Sequence, residues 1–309
     1  MKEMREIFGE ALVELGRENE KIIVLDADLN TSTRTDLFKK ERPSQFVQIG
    51  IAEQNMFGWA AGLATFGMIP FPTTFAVFAT KRACDQVSIS IAYPNLNVKI
   101  PGCYSGISTG KSGATHQSVE DLAIMRSMPN MRVLAPADGV ELRQMMKAMV
   151  EYVGPVYFRV PRPAIPAVVP GDYQFDWQPV LLKEGKDVAM IATGYMTHLV
   201  VEAAQTLAAH GIDAAVIHVP CLKPLAPGLI VQAAKECGVV ITVEDHSIIG
   251  GLGGAIAELL GEEFPVPMKR IGVRDKFVET GEDRDILTKY GLLPENIVQT
   301  AIAMMARKK

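Results

Sequence analysis

Cysteine is scarce in this 309-residue sequence. There are four cysteines, and none of them stands in the Cys-x-x-Cys spacing that zinc sites use. Because they are also scattered, the sequence argues against a disulfide framework and fits a reducing compartment. Core packing is the ordinary role of such residues, which are Cys84, Cys103, Cys221 and Cys237.

Long runs of one kind of side chain are missing as well. No basic run is longer than the terminal Arg307-Lys308-Lys309, and the net charge is -4. We therefore expect no nucleic-acid partner and no binding to acidic membranes. The N-terminus has no apolar core of signal-peptide length, and no stretch is long enough to span a membrane. The sequence predicts a cytoplasmic protein.

The composition is that of a globular protein, with 48% hydrophobic and 21% charged residues. The length suggests about two domains. Strand and helix patterns alternate, which indicates parallel sheets with helices on both faces. Residues 163–180 are rich in proline and lack periodicity. We predict an α/β protein of two domains, residues 1–162 and 181–309, each an open, mostly parallel sheet flanked by helices, joined by a Pro-rich linker of residues 163–180.

A strand-to-helix junction is predicted within residues 46–64. An apolar run reaches Gly50, and a run rich in Ala, Met and Leu follows it, so Glu53 lies at the edge of the junction. Local physics leaves two interpretations open for this glutamate. It is either a solvated first-turn residue favoured by the helix dipole or a functional acid.

Residues 79–93 have apolar residues at helical spacing, and a polar loop lies on either side of them in the sequence. The loop of residues 26–32 follows a strand at its carboxyl end, where open α/β sheets bind ligands, although its residues could equally cap the next helix. The loop of residues 102–117 is too rich in Gly and Ser for regular structure. His116 stands where that second loop gives way to a helix.

The second half contains a glycine loop after a predicted strand, Gly250-Gly-Leu-Gly253-Gly. Its glycines suggest a dinucleotide-binding fingerprint, but the Gly-x-Gly-x-x-Gly spacing is broken at Ile256. Tight packing of the following helix is the alternative interpretation.

Several segments, in order, resemble the pyrimidine-binding domain of transketolase. They are Ile49-Gly-Ile-Ala-Glu53-Gln-Asn-Met, Thr74-Phe75-Ala-Val-Phe78, Gly113-Ala-Thr-His116-Gln and Met128-Pro-Asn-Met-Arg-Val-Leu-Ala-Pro-Ala-Asp138. The second half, with Glu244-Asp-His246 and the glycine loop, is similar to the C-terminal domain of that family. The likeness covers essentially the whole chain. It implies a thiamine diphosphate-binding pyrimidine domain followed by a transketolase C-terminal-like domain.

One motif of the family is missing. Transketolases hold the cofactor's diphosphate through Mg²⁺ on a Gly-Asp-Gly motif, and this sequence contains no Gly-Asp-Gly. Mg²⁺ needs oxygen ligands and phosphate, so we expect no metal ligand on this chain. The resemblance implies one half of a split transketolase. Its thiamine diphosphate and Mg²⁺ would lie between this chain and a separate diphosphate-binding subunit, in an α2β2 heterotetramer.

The resemblance also implies roles around the cofactor. Glu53 matches the glutamate that binds the far ring nitrogen of the aminopyrimidine and favours the imino form, which takes the thiazolium proton. Phe75 and Phe78 match residues that line the pyrimidine pocket, with ordinary core packing as their alternative. Asp28 matches an aspartate near the cofactor and the subunit contact.

Substrate-binding roles are implied in the same way. Arg5, Ser32 and Arg159 match positions that bind the terminal phosphate of a sugar, and a guanidinium fork suits a tetrahedral oxyanion. His116 matches the histidine that hydrogen-bonds the oxygens of the donor sugar and passes protons. The implied catalytic residues are therefore Glu53 and His116.

The departures from the family pattern lie in one loop. Tyr104 stands where the loop usually begins with a histidine, Ser112 replaces an acidic residue before the Gly-x-Thr-His segment, and Lys111 replaces another acid. Loss of a carboxylate that reads sugar hydroxyls should alter the preferred sugar. We expect an unusual ketose that carries a phosphate or a sulfonate.

The sequence thus predicts an enzyme, a subunit of a thiamine diphosphate-dependent transketolase that moves a two-carbon ketol unit from a ketose to an aldose. Related enzymes of the same architecture are the alternative: the β subunit of a 2-oxo acid dehydrogenase, or a deoxyxylulose-phosphate synthase-like enzyme. A non-catalytic scaffold of the same fold is the third hypothesis. Retention of Glu53, Phe75, Phe78 and His116 argues against that scaffold.

Overall fold

The computed structural model describes residues 1–307, so Lys308 and Lys309 of the terminal basic run lie outside the described residues. Twelve strands form within the described part of the chain. They are β1 (Ile22–Asp26), β2 (Phe46–Gln48), β3 (Ile69–Phe75), β4 (Lys99–Cys103), β5 (Arg132–Leu134), β6 (Val156–Val160), β7 (Val180–Lys183), β8 (Val188–Ala192), β9 (Ala214–His218), β10 (Cys221–Lys223), β11 (Val240–Ser247) and β12 (Met268–Val273).

Eleven α-helices alternate with these strands over residues 1–307. They are α1 (Met4–Glu18), α2 (Asn30–Thr33), α3 (Asp36–Glu41), α4 (Glu53–Thr65), α5 (Asp121–Ser127), α6 (Gly139–Glu151), α7 (Met196–Ala209), α8 (Gly228–Cys237), α9 (Leu252–Glu263), α10 (Asp283–Lys289) and α11 (Pro294–Arg307). Short 3-10 turns cover Pro43–Gln45 and Gly110–Ser112.

The strands form two sheets. The first has the order β10-β5-β6-β4-β3-β1-β2 and is parallel except at β10, which pairs antiparallel with β5. The second has the order β12-β11-β8-β9-β7 and is parallel except at β7, which pairs antiparallel with β9. The predicted fold class, two mostly parallel sheets flanked by helices, is confirmed. The crossing of β10 from the second half into the first sheet was not predicted.

Apolar helix faces cover the first sheet on both sides. On one side α1 buries Phe8 and Leu12, and α6 buries Met145 against the same cluster. On the other side α4 buries Met56 and Phe57. Complete burial of one such side chain contributes about 1.5–3 kcal/mol. The α4 side forms one continuous apolar core with β8, β9, α8 and α9 of the second half, so the two sheets share a core.

The segment of helical period after β3 contains two π-helical stretches, Phe78–Arg82 and Gln86–Ala92. The Ala83 N–H binds the Phe78 carbonyl at 3.3 Å, which is the wider i to i+5 pairing. Single π turns occur frequently at functional sites. Here the wider turn presents Phe78 and Arg82 together beside α4.

Residues 161–179, between β6 and β7, contain neither helix nor strand. They nevertheless pack on α6, where the Tyr173 hydroxyl donates to the buried carboxylate of Glu141 at 2.5 Å. The boundaries at residues 162 and 181 stay a prediction. Among the described residues, no helix has both the length and the apolar character needed to cross a membrane. Nor does that part of the chain gather three or more potential metal ligands in one place.

Candidate active site

Glu53 begins α4 and is 4% exposed. The turn before it favours a glycine, because Gly50 has φ +81°, a value that other residues adopt at a cost. The Glu53 carboxylate is not left to water, since its Oε1 accepts a hydrogen bond from Arg82 Nη1 at 2.8 Å. The structure thus makes Glu53 a buried, paired carboxylate rather than a solvated first-turn residue.

Phe75 and Phe78 lie beside this pair. Phe75 ends β3, Phe78 begins the first π-helical stretch, and their ring centroids are 5.8 Å apart. The guanidinium of Arg82 lies against Phe78, 3.9 Å from its ring centroid. Arg82 therefore bridges the Phe78 ring and the Glu53 carboxylate. It was missed in the sequence, where only its place four residues after Phe78 gives a signal.

Both ends of the 104–116 loop fold onto these aromatic rings. Tyr104 stacks on Phe75 with centroids 4.3 Å apart, and it holds φ +58° to do so. His116 presents its ring edge-on, 5.4 Å from Phe78 and 5.9 Å from Phe75. We call Phe75, Phe78, Tyr104 and His116 the aromatic cluster. It joins β3, the π turn and the loop in one site.

Two arginines flank Tyr104. Arg5 Nη1 donates to the Tyr104 hydroxyl at 2.9 Å and to the Ser32 carbonyl at 3.1 Å, so the structure brings these three residues together. The Arg162 guanidinium lies 5.7 Å from the Tyr104 centroid, and its buried Nε has no hydrogen-bond partner among the described residues. Arg162 was missed although it follows Arg159 by three residues. The site therefore carries two guanidinium groups beside Tyr104, and that of Arg5 is also paired with Glu3 at 2.7 Å.

Arg159 lies elsewhere. It is 2% exposed, and its guanidinium binds Asp121 of α5 at 2.6 Å and Asp245 of β11 at 2.6 Å. Burial raises the pKa of a carboxyl group, but at Asp121 the charge of Arg159 outweighs this effect and the pKa is lowered. At Asp245 burial dominates and raises the pKa to about 6. Arg159 is thus occupied by two internal carboxylates. Its predicted role in substrate binding stays a prediction that this geometry does not favour.

Asp28 is exposed after β1 and has φ +65°. Its N–H donates to Gln48 Oε1 at 3.0 Å, and the same oxygen accepts from the Gly50 N–H at 3.1 Å. Gln48 also donates to Asp26 at 3.1 Å, and burial raises the pKa of that carboxyl. Gln48 thereby fixes both the Asp28 loop and the turn that leads to Glu53.

The middle of the 104–116 loop turns toward the second half of the chain. Lys111 pairs with Glu282 at 2.8 Å, a hydrogen bond that raises the pKa of the lysine, and both side chains are exposed. Ser112 donates to the Thr109 carbonyl at 3.3 Å. The Gln117 amide, just past the loop, donates to the Glu279 carbonyl at 3.1 Å. The residues that depart from the family pattern are therefore divided, with Tyr104 in the aromatic cluster and Lys111 outside it.

The glycine loop packs around a carboxyl group. Glu244 is fully buried and accepts the N–H groups of Leu252 and Gly253, at 2.7 and 2.8 Å, at the start of α9. Burial raises its pKa to about 7. A Cβ added at Gly251 would lie 2.0 Å from Glu244 Oε2. The glycines therefore serve tight packing, and a side chain of the protein already fills the anion position of a dinucleotide site.

Comparison with known proteins agrees with this arrangement. The chain matches the family "Transketolase, pyrimidine binding domain" over residues 1–167 and "Transketolase, C-terminal domain" over residues 178–297. It is 41% identical to the 6-deoxy-6-sulfo-D-fructose transketolase subunit SqwH of Clostridium sp. (strain MSTE9), over 99% of this chain and 95% of that protein.

Two further relatives cover 98% or more of this chain. An apulose-4-phosphate transketolase subunit of Phocaeicola vulgatus is 39% identical, over 98% of this chain and 97% of that protein. A solved structure described as "Split gene transketolase, inactive beta4 tetramer" superposes with a TM-score of 0.93 at 47% identity, over 100% of both chains. The chain therefore belongs to the transketolase family, of which it contains the pyrimidine-binding domain and the C-terminal domain.

Proposed function

We propose that this chain is one subunit of a thiamine diphosphate-dependent transketolase that transfers a two-carbon ketol unit from an anion-bearing ketose to an aldose. The observation that carries the proposal is the assembly of Glu53, Phe75, Phe78 and His116 in one place, contributed by three separate segments, with Arg82 linking Glu53 to Phe78. Structural packing alone does not require an acid, two facing rings and a histidine edge to meet there.

The residues present fit the pyrimidine ring of the cofactor. One planar group, the Arg82 guanidinium, already lies on Phe78 and reaches Glu53 from that position. A flat ring with hydrogen-bonding edges therefore has both a stacking face and a carboxylate within reach. When bound, thiamine diphosphate supplies a carbanion-like nucleophile that attacks the ketose carbonyl.

The side chains of this subunit act around that chemistry. Glu53, 4% exposed, would hold a proton against the ring nitrogen of the pyrimidine. Phe75 and Phe78 would orient the ring, with Asp28 nearer the partner subunit. His116 would hydrogen-bond the oxygens of the donor sugar and move protons there.

An anionic group on the sugar fits the charges beside Tyr104. Arg5 and Arg162 approach that ring from separate elements, and the unpartnered Arg162 Nε is a buried donor that an oxyanion would satisfy. Ser32 stands next to Arg5. The names of the two sequence relatives, which include a sulfonated sugar and a sugar phosphate, support a ketose phosphate or sulfonate as the substrate class.

A diphosphate-binding partner subunit completes the proposal. This chain has no Gly-Asp-Gly motif, so the partner would supply the Mg²⁺ ligands and the diphosphate site. The solved relative, a tetramer of β chains, is described as inactive, which supports a requirement for a second subunit. We propose a cytoplasmic α2β2 heterotetramer.

The decisive experiment purifies the chain with its diphosphate-binding partner, adds thiamine diphosphate and Mg²⁺, and compares ketose phosphates, ketose sulfonates and 2-oxo acids as donors. Ketol transfer from an anionic ketose is the expected result, and a Glu53→Gln complex should lose at least about a hundredfold in kcat. Turnover of 2-oxo acids alone would favour the dehydrogenase or deoxyxylulose-phosphate synthase alternative. No turnover of any donor, with cofactor bound, would favour the scaffold.

A further inference from the structure

Arg82 occupies a position that the proposed function gives to another group. Its guanidinium is planar and cationic, lies 3.9 Å from the Phe78 centroid and donates to Glu53 Oε1 at 2.8 Å. A pyrimidine ring that stacks on this face and hydrogen-bonds the same carboxylate needs the same space. The Arg82 side chain is half exposed, at 50%, whereas that of Glu53 is 5% exposed.

We propose that Arg82 is a placeholder for the cofactor's pyrimidine ring, an autoinhibitory contact that must release Glu53 and the Phe78 face before the cofactor binds. This inference rests on the proposed function. The contact satisfies a buried carboxylate that would otherwise be left without a side-chain donor. It also covers an aromatic face that would otherwise be exposed to water.

The local structure allows such a release. The Arg82 backbone is held, because its carbonyl accepts from the Gln54 side chain at 3.1 Å, while the exposed end of the side chain can swing into solvent. The guanidinium is half exposed, so water can solvate it once it leaves, and the pyrimidine ring would take its place as a partner of the carboxylate. The contact should therefore oppose cofactor binding only weakly. Removal of the guanidinium should therefore tighten cofactor binding by a few-fold rather than by orders of magnitude.

Lys81 offers a matched control. It is the adjacent residue, carries the same charge and is also exposed, but it pairs with Glu120 and not with Glu53. Substitution of Lys81 changes the net charge near the site as much as substitution of Arg82. It leaves the contacts of Glu53 and Phe78 intact.

The test measures the Kd of thiamine diphosphate, with Mg²⁺, by calorimetry on the purified two-subunit complex. Arg82→Ala and Arg82→Gln should each bind the cofactor at least about threefold more tightly than wild type, and Lys81→Ala should be unchanged. Equal or weaker binding by both Arg82 variants would overturn the placeholder role while the proposed function stands. If the wild-type complex binds no cofactor, the proposed function itself fails.

A second measurement needs no cofactor. In the isolated chain, the change in Tm caused by Arg82→Ala should shrink in a Glu53→Gln background, because the charged partner of Arg82 is then gone. Strictly additive changes in Tm would show that the two side chains do not interact in solution, and the inference would fall.

Discussion

Arg159 and Arg162 are three residues apart and have different surroundings. Arg159 lies within β6 and points into the interior, where it meets Asp121 and Asp245. Arg162 lies beyond the end of β6 and faces Tyr104. Sequence likeness favoured Arg159 for the substrate anion, but the geometry gives an open donor only to Arg162.

Arg162→Ala should raise the KM for an anionic ketose by about tenfold to a hundredfold, which corresponds to loss of a charge-assisted hydrogen bond. The kcat should change less, because such a group would bind the substrate equally in the ground and transition states. Steady-state kinetics of the complex measures both. Arg143→Ala is the control, since Arg143 pairs with Glu10 and Glu14 on α1, away from the site. A loss confined to kcat would contradict the assignment.

Glu244 should give a pH-dependent contribution to stability. Its pKa is about 7 in the folded chain and 4.5 ordinarily. Between these values the folded state holds a proton that the unfolded state has released, so this contribution falls as pH rises from about 4.5 to about 7. Glu244→Gln removes the titration. The free energy of unfolding of the wild type should therefore fall between pH 5 and pH 8 by about 1–3 kcal/mol more than that of the variant. Urea unfolding at the two pH values measures this difference. A constant difference would contradict the prediction.

At the level of elements, two glycines at opposite ends of α9 have different surroundings. A Cβ at Gly251, just before the helix, would lie 2.0 Å from Glu244 and 2.5 Å from His246, whereas Gly261 within the helix has nothing within 4 Å. Gly251→Ala should destabilise the chain by about 1–3 kcal/mol through overpacking. Gly261→Ala should stabilise it by about 0.5–1 kcal/mol through helix propensity.

Chemical denaturation of the two glycine variants beside wild type measures both effects. The pair is matched, because the same methyl group is added at the two ends of one helix. Equal effects at both positions would mean that the glycine loop is not held against Glu244 as the structure describes.

At the scale of the whole molecule, a buried network of charged side chains connects the two sheets. Arg159 of the first sheet pairs with Asp121 of α5 and with Asp245 of β11 in the second sheet. The three side chains are at most 3% exposed. Arg159→Leu would leave two buried carboxylates without their cation, so the free energy of unfolding should fall by about 3–5 kcal/mol. The loss should be smaller at pH 5 than at pH 8, because the unpaired carboxyls can then take up protons.

Urea unfolding at the two pH values measures this loss. Arg17→Ala is the surface control, because the pair of Arg17 with Glu41 is exposed on both sides, and removal should cost less than about 1 kcal/mol. A loss of that small size for Arg159→Leu would show that the network does not hold the two sheets together. Since the sheets also share an apolar core, we expect a single unfolding transition in the wild type.

The sequence by itself determined the fold class and the family. Alternating strand and helix periods are local properties of the chain. The segments around Glu53, Phe75 and His116 can likewise be recognised from their residues alone, without knowing where they lie in space. Local chemistry also allowed Glu53 two roles and the glycine loop two interpretations. The type and spacing of side chains do not reveal which residue, distant in sequence, each of them contacts in the folded chain.

Only the tertiary structure decided those contacts. It paired Glu53 with Arg82, turned Arg159 inward and Arg162 toward Tyr104, and placed Glu244 in the glycine loop. It also moved β10 into the first sheet. Each outcome depends on strand register and on how segments far apart in sequence approach one another. The physical reason is that burial, pairing and pKa arise from neighbours in space, which a linear pattern does not specify.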